Sequence, residues 1–363
     1  MDILQTVLFL AIAFFSGIIA LLVFNELKII LLFITGYFLA LVAEIMNVEI
    51  YSKILLYFAF VAFSLYVFEY APRLKFKHTN YEEKISLHYS INSLIASLVA
   101  GYIVYLLTGK PFLYIFAFSI AMFVSQLEYV KKKSKISHIL QYESNLSILV
   151  ALVVLFVVFE AYTLFSGQEY FLFAEKFLLS IGLGILTAIL LLRFASHRSH
   201  HNITSFIIVI LAFLCSEVLA LPGLTIAVAA LLFNTFSTER TRHTFDFFKN
   251  INRVTEVFIF VFAGFLFANV FKFSIEFVLL CLTVYALFFF IRFFITSLFA
   301  VSLKEKIFLT LNSPKGGIGA LLFILLVLTV PRYSDLWAVF FVQIILSELI
   351  SYMSHYLEDP NTF

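Results

Sequence analysis

Polar residues interrupt this chain so rarely that long apolar runs remain between them, at about 3–24, 27–47, 51–70, 87–108, 111–130, 143–166, 172–195, 203–220, 222–236, 251–270, 273–301, 305–330 and 334–356. A membrane-spanning helix needs about 20 such residues, because the hydrocarbon core is ~30 Å thick and offers backbone groups no hydrogen-bond partner. The pattern therefore predicts an all-α polytopic membrane protein of about thirteen transmembrane helices. Residues 1–358 form a single transmembrane domain, and 359–363 a short cytoplasmic tail. The runs on either side of Leu221-Pro222-Gly223 are short, so 203–236 is either two spans or one helix broken at the proline.

Charge placement gives an independent test, since Lys and Arg gather on the cytoplasmic side of spans. With this many spans, one side receives Lys28, the groups Arg73 to Lys84, Lys131 to Lys135, Arg193 with Arg198, Arg240 to Arg253, and Lys304 with Lys306. The other side receives only Lys53, Lys110, Lys176, Lys272 and Arg332, while Arg292 and Lys315 stay inside spans. That separation puts the N-terminus outside and the C-terminus in the cytoplasm. Composition agrees: 63% of the 363 residues are hydrophobic and 13% charged, with a mean hydropathy of +1.06. So little polar surface cannot cover a water-soluble domain of this length. The run at Ile3–Phe24 has no basic segment before it and no small-residue cleavage site, which reads as a retained span. Cys215 and Cys281 lie in apolar runs and suggest packing rather than a disulfide or thiolate site.

Several stretches then line up in order with a known family. Phe68-Glu69-Tyr70-Ala71 ends the third span, and Ser125-Gln126-Leu127 follows the Pro111 span. Glu143-Ser144-Asn145-Leu146-Ser147-Ile148 comes after a basic connection, and Ser216-Glu217-Val218-Leu219 precedes Pro222-Gly223 and Asn234. Thr241-Arg242-His243, Glu256 and Ser313-Pro314-Lys315-Gly316-Gly317-Ile318 complete the series. Together they resemble the monovalent cation:proton antiporter family of the sodium/proton exchanger type. The resemblance implies an inverted-repeat transporter with a dimerisation panel and a mobile core, two interrupted crossing helices, and an ion site at mid-membrane. It also implies a homodimer, Na+ or K+ and protons as partners, a cell membrane (bacterial inner membrane) location, and no cofactor or metal.

Antiport needs a group that holds a proton or a cation but not both. A partly desolvated carboxylate does this, because burial favours its protonated form and a bound cation its ionised form. Where the family carries its two aspartates, this chain has Gln126 and Ile148, neither of which exchanges a proton. Ser125, Gln126, Asn145 and Ser147 supply either oxygen ligands for a dehydrated monovalent cation or ordinary helix–helix hydrogen bonds. Lys315 is costly at mid-bilayer, about 2.5–3.5 kcal/mol on insertion scales, and needs a partner unless it snorkels to an interface. Glu348, beside Ser347 in the last span, is the acid the resemblance brings near Lys315, as a structural ion pair or as a stand-in carrier. Glu143, Glu217 and Glu256 are ion-access or helix-tie candidates, with Glu160 of the same kind, and Arg292 pairs with Glu160, Glu217 or Glu256. His197, His200 and His201 have loose metal-ligand spacing but sit among basic residues, as a solvated loop would. No phosphate loop, nucleophile elbow or His-Glu-x-x-His motif points to an enzyme. Two functions remain open: exchange of a monovalent cation for protons, or a transport-incompetent relative serving as sensor, scaffold or passive ion pathway.

Overall fold

The computed structural model describes residues 28–45, 52–71, 81–126, 139–151, 170–195, 201–237, 242–271, 274–299 and 302–358, with positions 11, 12, 15 and 154. All regular structure among them is helical. In chain order the helices are α1 (Lys28–Ile45), α2 (Ser52–Tyr70), α3 (Tyr81–Thr108), α4 (Phe112–Phe123) and α5 (139–151). There follow α6 (Tyr170–Ala195), α7 (His201–Leu219), α8 (Pro222–Phe236), α9 (Arg242–Val270) and α10 (Ile275–Ser297). The series closes with α11 (Leu303–Leu311), α12 (Gly316–Thr329), a 3-10 turn at Pro331–Tyr333, and α13 (Ser334–Glu358). Six stretches are long and apolar enough to cross a membrane: Lys84–Thr108, Phe171–Phe194, Asn202–Leu219, Thr244–Val270, Ile275–Ser297 and Pro331–Ser354. The chain is thus an integral membrane protein. The expected span at 3–24 beyond positions 11, 12 and 15, residues 155–166, Glu160, the histidines at 197 and 200, and the tail 359–363 lie outside the described residues.

The expected run at 305–330 is not one helix. It divides into α11 and α12, bent by 41° at residues 312–315. The run at 111–130 stops being helical after Phe123, and Val124 is extended with ψ of 134°. The first break falls at Val124-Ser125-Gln126, and the second at Asn312-Ser313-Pro314-Lys315, where a proline and the glycines that follow interrupt the apolar run. At 203–236 the chain forms two helices, with Pro222 at the first turn of α8, where its missing N–H costs nothing. Ser180 Oγ accepts the Leu221 N–H at 2.7 Å, so the backbone at this break is satisfied from α6. Ends are capped by sequence as well. Ser274 accepts from Phe277 N, and Ser302 with Glu305 forms a capping box at the start of α11.

The chain divides into two compact units. One comprises Met1–Ala59, Thr79–Ser147 and Glu256–Phe363, and the other Phe60–His78 and Ile148–Thr255. In the first, α3 packs on α4 and α10, and α13 contacts α4, α10, α11 and α12. α1 meets α9 almost backbone to backbone: a Cβ on Gly36 would stand 1.9 Å from Val261 O, and one on Gly264 would stand 2.2 Å from Phe33 O. Such approach through small residues is how helices gain dispersion contact where lipid is as apolar as leucine. In the second unit α6 packs on α7 and α8. There Asn234 Nδ2 donates to Ala71 O at 2.9 Å and Asn252 Nδ2 to Glu69 Oε2 at 2.8 Å.

Candidate functional site

Two broken segments of the first unit meet. The extended residues after α4 run beside the 312–315 break, and Gln126 N donates to Pro314 O at 2.6 Å. Each break leaves helix-end groups that lipid cannot satisfy, and side chains from other helices take them. At the C-terminal end of α4, the Lys315 ammonium donates to the carbonyls of Met122 and Val124, the latter at 2.7 Å, and to Ser313 Oγ at 3.4 Å. A cation there also complements the partial negative charge of a helix C-terminus.

The N-terminal end of α12 is served by two side chains. Glu348 Oε1 accepts from Gly316 N at 2.6 Å, and Gln126 Oε1 accepts from Ile318 N at 3.0 Å. The other end of the Gln126 amide donates to Glu256 Oε1 at 3.2 Å. One helix terminus therefore holds a carboxylate directly and a second through a bridging amide, in keeping with its partial positive charge. Gly316 sits at φ +56°, and a Cβ there would fall 2.3 Å from Gln126 Oε1, so the crossing requires glycine at that position.

The sequence candidates sort accordingly. Ser125, Gln126, Asn145, Ser147, Lys315, Ser347 and Glu348 are all buried. Ser147 Oγ accepts from Ser125 N at 3.1 Å, tying α5 to the first break. Ser347 bonds its own helix at Ile344 O and lines a cleft that Lys315 also lines. Lys315 bonds the end of α4, and Glu348 bonds the start of α12. Glu217 lies in the other unit, exposed on α7. Glu143, fully buried on α5, bonds Arg292 through Oε2 at 2.7 Å, whereas the sequence offered Arg292 only Glu160, Glu217 or Glu256. Arg292 Nε also donates to Leu309 O at 3.2 Å. Ile148 is completely buried. Sequence reasoning did not join Glu256 to Gln126, and no local pattern links positions 130 residues apart. Among the described residues no group of three or more His, Cys, Asp and Glu is placed to hold a metal ion.

No family model matches the sequence, and no curated protein sequence does either. Solved structures do match. The sodium proton antiporter MjNhaP1 from Methanocaldococcus jannaschii at pH 8 superposes with a TM-score of 0.69 at 16% identity, over 99% of this chain and 97% of that one. An electron-microscopy structure of the same antiporter gives a TM-score of 0.66 at 16% identity, over 98% and 97%. With two interrupted segments crossing in one unit and a likeness that runs nearly end to end, this chain has the fold of a sodium/proton antiporter.

Proposed function

We propose that this protein is a secondary transporter that exchanges a monovalent cation, Na+ or K+, for protons, with Glu348 as the exchanging acid in place of the absent aspartates. The observation that carries the reading is the convergence of two carboxylates on the start of α12: Glu348 on Gly316 N, and Glu256 through Gln126 on Ile318 N. A buried carboxylate holds a proton or a cation but not both, so the arrival of one releases the other. The meeting of the two breaks supplies further oxygens, among them the hydroxyls of Ser125 and Ser147. The antiport recorded for the structurally similar archaeal protein supports the same chemistry. The charge asymmetry of the sequence supports an N-terminus outside and a C-terminus in the cytoplasm, and the family resemblance supports a homodimer.

A specific observation favours a second reading, a relative that keeps the fold without exchange. Gln126 satisfies the crossing as a neutral amide, and Ile148 is sealed from solvent. Proteoliposomes containing a pH dye separate the two. Addition of Na+ or K+ should drive proton efflux in wild-type protein and none in Glu348→Gln, which keeps an acceptor for Gly316 N but not the charge. Wild-type flux no greater than that of Glu348→Gln would leave only the second reading.

A further inference from the structure

Lys315 reaches the end of α4 from the head of α12. It is the N-cap of that helix, its carbonyl accepts from Gly319 N at 2.9 Å, and the residue between them, Gly316, is left-handed at φ +56°. Side chains four positions apart on a regular helix stand about 5–6 Å from each other at Cβ. The left-handed turn takes Lys315 off that path, and a Cβ at position 319 would fall only 2.6 Å from Lys315 Cβ. The Lys315 stem thus occupies the space that a side chain at 319 would need. The same Cβ would stand 3.3 Å from Ile344 Cγ1 and 3.6 Å from Ile344 Cδ1. Ile344 is fully buried and precedes Glu348 by four residues, on the same face of α13. All of these residues belong to the first unit. The vacant place at 319 therefore borders both supports of the two breaks. One is the Lys315 stem, whose ammonium holds the carbonyls of Met122 and Val124; the other is the turn of α13 whose Glu348 holds Gly316 N.

We infer that Gly319 is a positioning residue of the exchange site, whose missing side chain seats the Lys315 stem and sets how closely α13 brings Glu348 to the start of α12. A methyl group at 319 must push Lys315 away from α4 or α13 away from α12, and either movement loosens a hydrogen bond made by a charged group. The effect on transport rests on the exchange proposed for Glu348, whereas the effect on packing does not.

Gly319→Ala tests the inference with two readouts. Alanine in place of glycine inside a helix is ordinarily stabilising, because glycine loses more backbone freedom on folding. The seat reverses that sign. Gly319→Ala should lower the unfolding temperature of the full-length protein in detergent, whereas Gly182→Ala, on open space in α6, should not. Ile344→Ala makes room on α13, so it should cost less in the Gly319→Ala background than in wild type. In proteoliposomes, Gly319→Ala should raise the half-saturating Na+ or K+ concentration for proton flux about tenfold, the size of one lost hydrogen bond to a charged group. Partial misfolding would lower the maximal rate alone. An unchanged or raised unfolding temperature in Gly319→Ala would overturn the seat, and unmoved half-saturation beside working wild-type flux would overturn the positioning role. Wild-type flux no greater than that of Glu348→Gln is instead the failure of the exchange reading, and the unfolding comparison then decides the seat by itself. Should Gly319→Ala not fold, recovery of folded protein on adding Ile344→Ala supports the seat, and continued failure overturns it.

Discussion

At the scale of single residues, the crossing is built from side chains that stand in for missing backbone partners. Lys315 takes carbonyls at the end of α4, Glu348 takes an amide at the start of α12, and Gln126 reaches both a helix amide and a carboxylate. The tightest constraint falls on Gly316, where a positive φ and the nearby Gln126 amide act together. Gly316→Ala should destabilise by about 1–2 kcal/mol for the left-handed backbone alone, with the Gln126 collision added, read as a lowered unfolding temperature in detergent. Glu348→Gln should differ in kind. It retains the hydrogen bond to Gly316 N, so its unfolding temperature should fall by little while cation-driven proton flux disappears. That Lys315 needs a partner was legible in the sequence, because a cation among apolar residues is expensive. Its actual partners are backbone carbonyls 191 and 193 residues away, which no side-chain pattern announces.

At the scale of elements, α13 holds both halves of the broken helix. Asn312 Oδ1, at the end of α11, accepts from Ser351 Oγ at 2.9 Å and Ser354 Oγ at 3.1 Å, and Glu348 holds the start of α12. Those three residues fall at i, i+3 and i+6 on α13, close to one face of that helix. Removing both hydroxyls with Ser351→Ala and Ser354→Ala should leave Asn312 Oδ1 buried and unsatisfied, at a cost of about 1–3 kcal/mol in detergent unfolding. The contact between α1 and α9 tolerates even less. Gly264→Leu places a branched chain where a Cβ already meets Phe33 backbone, so yield of folded protein by size-exclusion chromatography should fall sharply, whereas a leucine at Gly182, which has open space, should be accepted. Most helix positions were readable from hydropathy. The break at 312–315 was legible as a Gly-rich interruption of an apolar run, whereas the one at 124–126 was readable only through the family resemblance, since side-chain hydropathy carries no record of where backbone bonds are redirected.

For the whole molecule, the sequence also predicts a direction of insertion that cysteine labelling can check. With Cys215 and Cys281 replaced, Lys110→Cys should react with an impermeant maleimide in intact cells, whereas Lys304→Cys should react only after permeabilisation. The reverse result would invert the topology drawn from charge. The sequence by itself determined the solvent and the elements: a bilayer, because 63% hydrophobic and 13% charged residues cannot cover a soluble surface, and helices, because each apolar run must satisfy its own backbone. It also determined what is missing, since Gln126 and Ile148 can be read directly against the resembling motifs. Only the tertiary structure decided which polar groups meet. Hydrophobic burial is roughly proportional to area and is encoded locally, whereas a hydrogen bond is fixed by distance and angle between groups that the chain separates widely. Gln126 and Glu256, Gln126 and Ile318, and Glu143 and Arg292 stand 130, 192 and 149 positions apart, and their pairing exists only once the helices have packed.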